Sequence, residues 1–172
     1  MHIGIDGLRM WDLQRQVQAP KPSQMRNPRD PVTCVAWLTR KDDIQETLCA
    51  GTGLGYIIIW RQHTDAVTEF AEIWSRRIGT GVEIMHLTCE AIEANPRILT
   101  ATCDKRIQLC SINSKHHLSN IFNIELASTV PWTVCFHGGD VMVFGMYDGE
   151  MQVKSVRWYQ TKTYPNHNQL HP

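Results

Sequence analysis

Cys135 and His137 stand two residues apart, so on an extended strand both side chains emerge from one face. A thiol beside an imidazole begins a nucleophilic centre, but such a centre also needs an acid to orient the base, an oxyanion hole and a cleft. No other motif supplies them, so the pair predicts a strand surface and no enzyme activity. Gly51, Gly53 and Gly55 invite a second reading, as a loop that cradles phosphate. That chemistry needs a following Lys-Ser/Thr or a helix N-terminus facing the anion. Here Tyr56-Ile57-Ile58-Ile59 follows, so the glycines predict a hairpin turn. His116 and His117 are adjacent and would face opposite ways on a strand, which predicts a solvated pair and no metal site. His167 and His171 fall in the last residues, and Asp42, Asp43 and Glu46 read as a solvated acidic insertion. Of the six cysteines, no two have the two-residue spacing of zinc or redox sites. Cys34, Cys49, Cys89, Cys103, Cys110 and Cys135 all fall in or beside apolar strands and are expected as buried, reduced thiols. No cofactor is implied.

The elements that would position these residues are suggested first by bulk properties. The 172 residues carry 17 basic and 17 acidic side chains and a 42% hydrophobic content, enough for one substantial core. Balanced charge offers no phosphate-neutralising surface, and Arg76-Arg77 and Lys105-Arg106 are too small and scattered to make a basic stripe, so no nucleic acid is expected. No stretch approaches the roughly 18 apolar residues of a membrane span, and no secretory signal is visible. These features predict an intracellular protein, cytoplasmic or nuclear, away from membranes.

A cadence runs through the chain. Val32 to Trp37, Val82 to Leu87 and Pro131 to Phe136 read as first strands, at steps of 50 and 49 residues. Second strands follow at Leu48 to Thr52, Ile98 to Thr102 and Val143 to Tyr147, with Ala50, Ala101 and Gly145 in equivalent places. Third strands are Tyr56 to Trp60, Arg106 to Ile112 and Met151 to Val156, after the turns Gly53-Leu54-Gly55, Asp104-Lys105 and Asp148-Gly149. Phe70 to Trp74, Leu118 to Ile124 and Arg157 to Thr161 read as fourth strands. The spacing of Phe70, Ile73 and Trp74 also suits a short helix, but the cadence places a strand there. Asp6 to Asp12 reads as the close of an earlier unit. Prolines between Ala19 and Pro31 predict a linker, and the tail from Tyr164 to Pro172 lacks apolar alternation and is expected to be disordered.

The Trp11-Asp12 pair, and the run Tyr56-Ile57-Ile58-Ile59-Trp60, resemble the third strand of a WD40-repeat β-propeller blade. The glycine-rich Gly51 to Gly55 and Phe144 to Gly149 are similar to stretches of fungal WD-repeat proteins. The resemblance implies an all-β fold, a partial β-propeller of about three to four four-stranded antiparallel blades. Its segment would cover residues 1–163, with a blade remnant at 1–18, a linker at 19–31, and blades at about 32–80, 81–129 and 130–163, before the tail at 164–172. Insertions at Lys41 to Glu46 and Ala91 to Pro96 would account for steps longer than the family's repeat of about 40 to 45 residues. The implied repeat positions are Trp11, Asp12, Trp60, Asp104, Cys110 and Asp148. The pattern departs from the family where Gly-His should precede each first strand, since Arg29-Asp30, Thr80-Gly81 and Ser128-Thr129 stand there instead. Cys110 and Lys154 also take the place of the Trp. The family's His-Asp-Ser/Thr-Trp network is therefore expected to be incomplete, and packing is expected to hold the fold.

Aromatic residues divide by position. Trp11, Trp37, Trp60 and Phe136 read as core, each burying roughly 150 to 250 Å², whereas Trp132 and Tyr147 read as exposed rim. By the resemblance, partners dock where loops gather at one face, which implies Glu83, Trp132 and Tyr147 as partner contacts. So short a stack would leave two terminal faces bare. At about 2 kcal/mol for each of about five apolar side chains, each face would forgo about 10 kcal/mol, comparable with a whole domain's stability of about 5 to 15 kcal/mol. Together with a start inside a blade, this predicts a fragment of a longer propeller, or a chain that self-associates to complete a ring. The expected function is a protein–protein interaction scaffold. The rivals are a truncated relic with no function of its own, and a hydrolase on another β fold.

Overall fold

The structure is a computed structural model that describes residues 2–4, 7–20, 30–38, 45–63, 66–91, 96–115, 117–127, 129–137, 141–146 and 148–155. Among the described residues every regular element is a strand. In chain order these are β1 (His2–Gly4), β2 (Gly7–Arg9), β3 (Trp11–Asp12), β4 (Val17–Gln18), β5 (Val32–Trp37), β6 (Thr47–Thr52), β7 (Tyr56–His63) and β8 (Ala66–Arg77). There follow β9 (Ile84–Glu90), β10 (Arg97–Thr102), β11 (Arg106–Ile112), β12 (Leu118–Glu125), β13 (Pro131–His137), β14 (Val141–Met146) and β15 (Met151–Ser155). All pairs are antiparallel between chain neighbours. β5 to β8 and β9 to β12 form four-stranded sheets, β13 to β15 a three-stranded one, and β1-β2 and β3-β4 are two-stranded ribbons. The short helix that Phe70, Ile73 and Trp74 would have allowed is absent, because β8 pairs with the β-branched run of β7 along its length.

The sheets stack face to face, and apolar layers alternate with them. Leu8, Met10 and Ala19 cover one face of the first sheet over Leu48, Ile58 and Trp60. On its other face Cys49, Ile57 and Ile59 meet Ile84, Leu87 and Ile98 of the second sheet. Leu99, Ile107 and Leu109 then meet Val134, Met142 and Phe144 of the third. Because β6 and β10 are covered on both faces, all their residues are buried, and the usual in-out alternation vanishes from them.

Three devices recur in all three sheets. The turn after each second strand closes with a backbone hydrogen bond over three residues, Gly55 to Thr52, Lys105 to Thr102 and Gly149 to Met146. The donor in each has positive φ, 79°, 65° and 88° in turn. A register shift sits at the start of each first strand, between Val32 and Cys34, opposite Ala101 and Thr102, and between Pro131 and Thr133. Finally, a small residue faces the strand just past that shift: Gly51 pairs with Cys34, Ala101 with His86 and Gly145 with Thr133. A Cβ on Gly51 would lie 2.7 Å from both Cys34 Sγ and Ile84 Cγ2, so the close approach of sheets excludes a side chain there.

Several expectations need correction. Register makes Gly51, not Ala50, the equivalent of Ala101 and Gly145. The opening unit is broken into β2 and β3 instead of one strand, and Trp11 is 45% exposed on its short ribbon. Trp37 is 48% exposed at the end of β5, with its ring against Phe70 at 6.0 Å, so neither tryptophan is core. Cys103 and Cys135 are exposed because each lies outside the covered rows. The second unit's first strand begins at Ile84, two residues later than Val82. Asp6, Asp42, Asp43, His116, Tyr147, the stretch Arg157 to Thr161, most of the linker and the tail lie outside the described residues.

Candidate functional site

A β-bulge sets two residues of one strand against one of its partner, and the extra side chain leaves the alternating rows. The extra residues here are Thr33 on β5, Met85 on β9 and Trp132 on β13. All three come together. With Glu83, His86 and Thr133 they line one hollow of about 310 Å³ where the first strands of the three sheets lie side by side.

The walls of the hollow are fixed from outside it. The Thr33 hydroxyl donates to the Ile84 carbonyl of the next sheet, and the Gly51 carbonyl lies 3.1 Å from the same oxygen. The Val134 amide donates to His86 Nδ1 at 3.3 Å, joining the second sheet to the third. Burial lowers the His86 imidazole below its ordinary value. Cys103 N donates to the Glu83 carbonyl at 3.1 Å, which fixes the backbone of Glu83 while its side chain stays exposed. Trp132 is 56% exposed. The lining thus presents one carboxylate, one large indole and a thioether, and none of the six residues is lysine or arginine.

Of the three expected contact residues, Glu83 and Trp132 are brought together, and Tyr147 lies outside the described residues. Met85, Thr33, His86 and Thr133 had not been anticipated. A signal for them does exist: Val32 and Val35, Ile84 and Leu87, and Pro131 and Val134 are spaced by three where strict alternation demands two.

The repeat positions form a different arrangement, at the turns. Thr52 donates to Asp30 Oδ2 at 2.6 Å, Leu54 N donates to Asp30 Oδ1 at 2.7 Å, and Tyr56 N donates to Thr52 Oγ1 at 3.0 Å. Asp30 is buried, and it occupies the place where the sequence lacked Gly-His. Fifty residues on, Thr80 donates to Asp104 Oδ2 at 3.0 Å and Thr102 to Asp104 Oδ1 at 2.5 Å. Among the described residues the third turn shows Glu150 N donating to Asp148 Oδ1 at 3.1 Å, and Met146 has no hydroxyl to offer. Asp12 likewise caps its own turn through the amides of Gln14 and Arg15. Trp60 and Cys110 are buried, and the Trp60 Nε1–H has no hydrogen-bond partner among the described residues, so packing alone holds that indole.

Nucleophilic chemistry gains little from this geometry. Cys135 and His137 share the exposed side of β13, but neither lines the hollow. Burial pushes the Cys34 and Cys110 thiols up to about 12, and the Cys49 thiol is raised by its hydrogen bond with Cys89 and by burial, which removes all three as thiolates. Among the described residues no group of three His, Cys, Asp or Glu is placed to hold a metal ion. Among the described residues no helix is long and apolar enough to cross a membrane. No protein-family model matches the chain, and no curated protein matches it.

Proposed function

We propose that the protein is an interaction scaffold: its stacked sheets are blades of a partial WD-repeat-like propeller, and a protein partner docks at the hollow between the first strands. One observation supports this above the rest. Three sheets each contribute their bulge residue to a single concave site beside Glu83. An exposed indole and a thioether in a concavity are the side chains that anchor protein interfaces. The blade reading draws on the recurring turns and bulges, and on first strands β5, β9 and β13 that run as neighbours. The outward side of β13, with exposed Thr133, Cys135 and His137, corresponds to rows that the next sheet covers elsewhere, and in this reading it receives a further sheet, from more chain or from a second copy.

A photo-crosslinking residue at Met85 tests the docking reading, with Lys115, on the exposed β11–β12 turn, as the control. A discrete protein adduct from Met85 that disappears in Trp132→Ala, with none from Lys115, is the expected outcome. Equal labelling from both positions, or an adduct indifferent to Trp132, would overturn it.

A further inference from the structure

The contact between β9 and β13 has an acid and an aromatic ring at each end. At the far end Glu90 and Phe136 already hold a guanidinium. Arg97 Nη2 lies 2.6 Å from Glu90 Oε2, and the guanidinium carbon sits 5.3 Å from the Phe136 ring centre. Arg97 starts β10 and is only 6% exposed, so the fold seats this cation between a carboxylate on the second sheet and a ring on the third. At the near end Glu83, just ahead of β9, and Trp132, on β13, offer the same two chemical groups, here lining the hollow.

Resting on the docking role proposed above, we infer that the hollow receives an arginine side chain from the protein partner, its guanidinium on the Glu83 carboxylate and over the Trp132 indole. The arginine stem lies along Met85. Charge complementarity selects the occupant: among the described residues the lining has one anionic group and no lysine or arginine to oppose it. An acidic side chain is repelled there, and a purely apolar one strips water from Glu83 without replacing it. Arginine is favoured over lysine because a flat guanidinium stacks on an indole while its edge forms two hydrogen bonds with a carboxylate, which a compact ammonium cannot do together. The volume, at the lower bound of small-ligand pockets of about 300 Å³, suits one long side chain rather than a stretch of backbone.

The test uses the full chain labelled with nitrogen-15 and five peptides, Ac-Gly-Ser-X-Ser-Gly-NH2, where X is Arg, Lys, Gln, Met or Glu. The resonances followed are the Trp132 indole N–H and the Val134 amide. The arginine peptide is expected to shift both in a saturable way and to bind about fivefold more tightly than the glutamine peptide, the scale of a partly exposed ion pair. Glu83→Gln should remove that preference while its amide spectrum stays that of the folded chain, and Trp132→Leu should weaken the arginine peptide more than the glutamine one. Equal shifts by arginine and glutamine, tighter binding of lysine or methionine, or an arginine preference that survives Glu83→Gln would overturn the arginine assignment and leave the docking reading standing. Loss of the Met85 adduct, with no peptide shifting either resonance, would overturn both.

Discussion

The first and second four-stranded sheets solve one local problem from opposite sides. Each has a threonine at the end of its second strand, Thr52 or Thr102, whose hydroxyl needs an acceptor at the turn. In the first sheet the carboxylate arrives from the segment ahead of the sheet, as Asp30, and in the second from the turn itself, as Asp104. The partner positions are exchanged to match: Thr80 stands fifty residues after Asp30, and Leu54 fifty before Asp104. The repeat therefore preserves a hydrogen-bonded knot and not the identity of the residue that ties it. The two knots differ in burial, since Asp30 is 4% exposed and the Asp104 side chain 25%. Water can replace part of what Asp104 does, but not what Asp30 does.

That contrast ranks the following substitutions, each followed by urea unfolding monitored through tryptophan fluorescence. Asp30→Ala should cost most, about 3 kcal/mol, because it strands the Thr52 hydroxyl in a dry place and takes the partner from the half-buried Leu54 amide. Asp104→Ala should cost about 1 kcal/mol, and equal losses at the two sites would break the comparison. Next comes the small-residue position. Gly51→Ala should cost about 2 kcal/mol through overpacking against Cys34 and Ile84, although the second sheet carries alanine at the matching Ala101. A neutral result would mean that the two sheet-to-sheet gaps are alike. Transplanting the second knot into the first sharpens the argument: Asp30→Thr with Leu54→Asp should be about 1 kcal/mol more stable than Asp30→Thr alone, and strict additivity of the two changes would refute a shared knot. The smallest effect is a gain. Lys105 holds a φ of 65° where the other two turns use glycine, so Lys105→Gly should stabilise by about 0.5 kcal/mol.

Much of the strand plan was legible because both faces of the central strands are apolar and short turns separate them. Val32 to Trp37 and Arg106 to Ile112 coincide with observed strands. What could not be read was whatever depends on a neighbour. Trp37 has the composition of core, yet it sits at the end of β5, where no sheet covers it, and only the stack decides that. Cys135 lies in an apolar strand, but on the row that no described residue covers. Asp30 looked like a missing Gly-His, since one position in isolation does not reveal that an acid has changed places with a threonine. Glu83 and Trp132 are expected as partner contacts only through the resemblance, not from any pattern in their own strands. The hollow they share was hidden because a bulge is a relation between two strands, visible in one of them only as a spacing of three.

Those bulges separate two kinds of selection. Thr33, Met85 and Trp132 belong to neither alternating row of their strands, and none of them contributes to the three apolar layers. A hydroxyl, a thioether and an indole are all accommodated at this one position, so the apolar layers do not dictate its side chain, although Thr33 also uses its hydroxyl to join two sheets. At Met85 and Trp132 the surface chemistry can therefore be changed without touching the apolar layers beneath it.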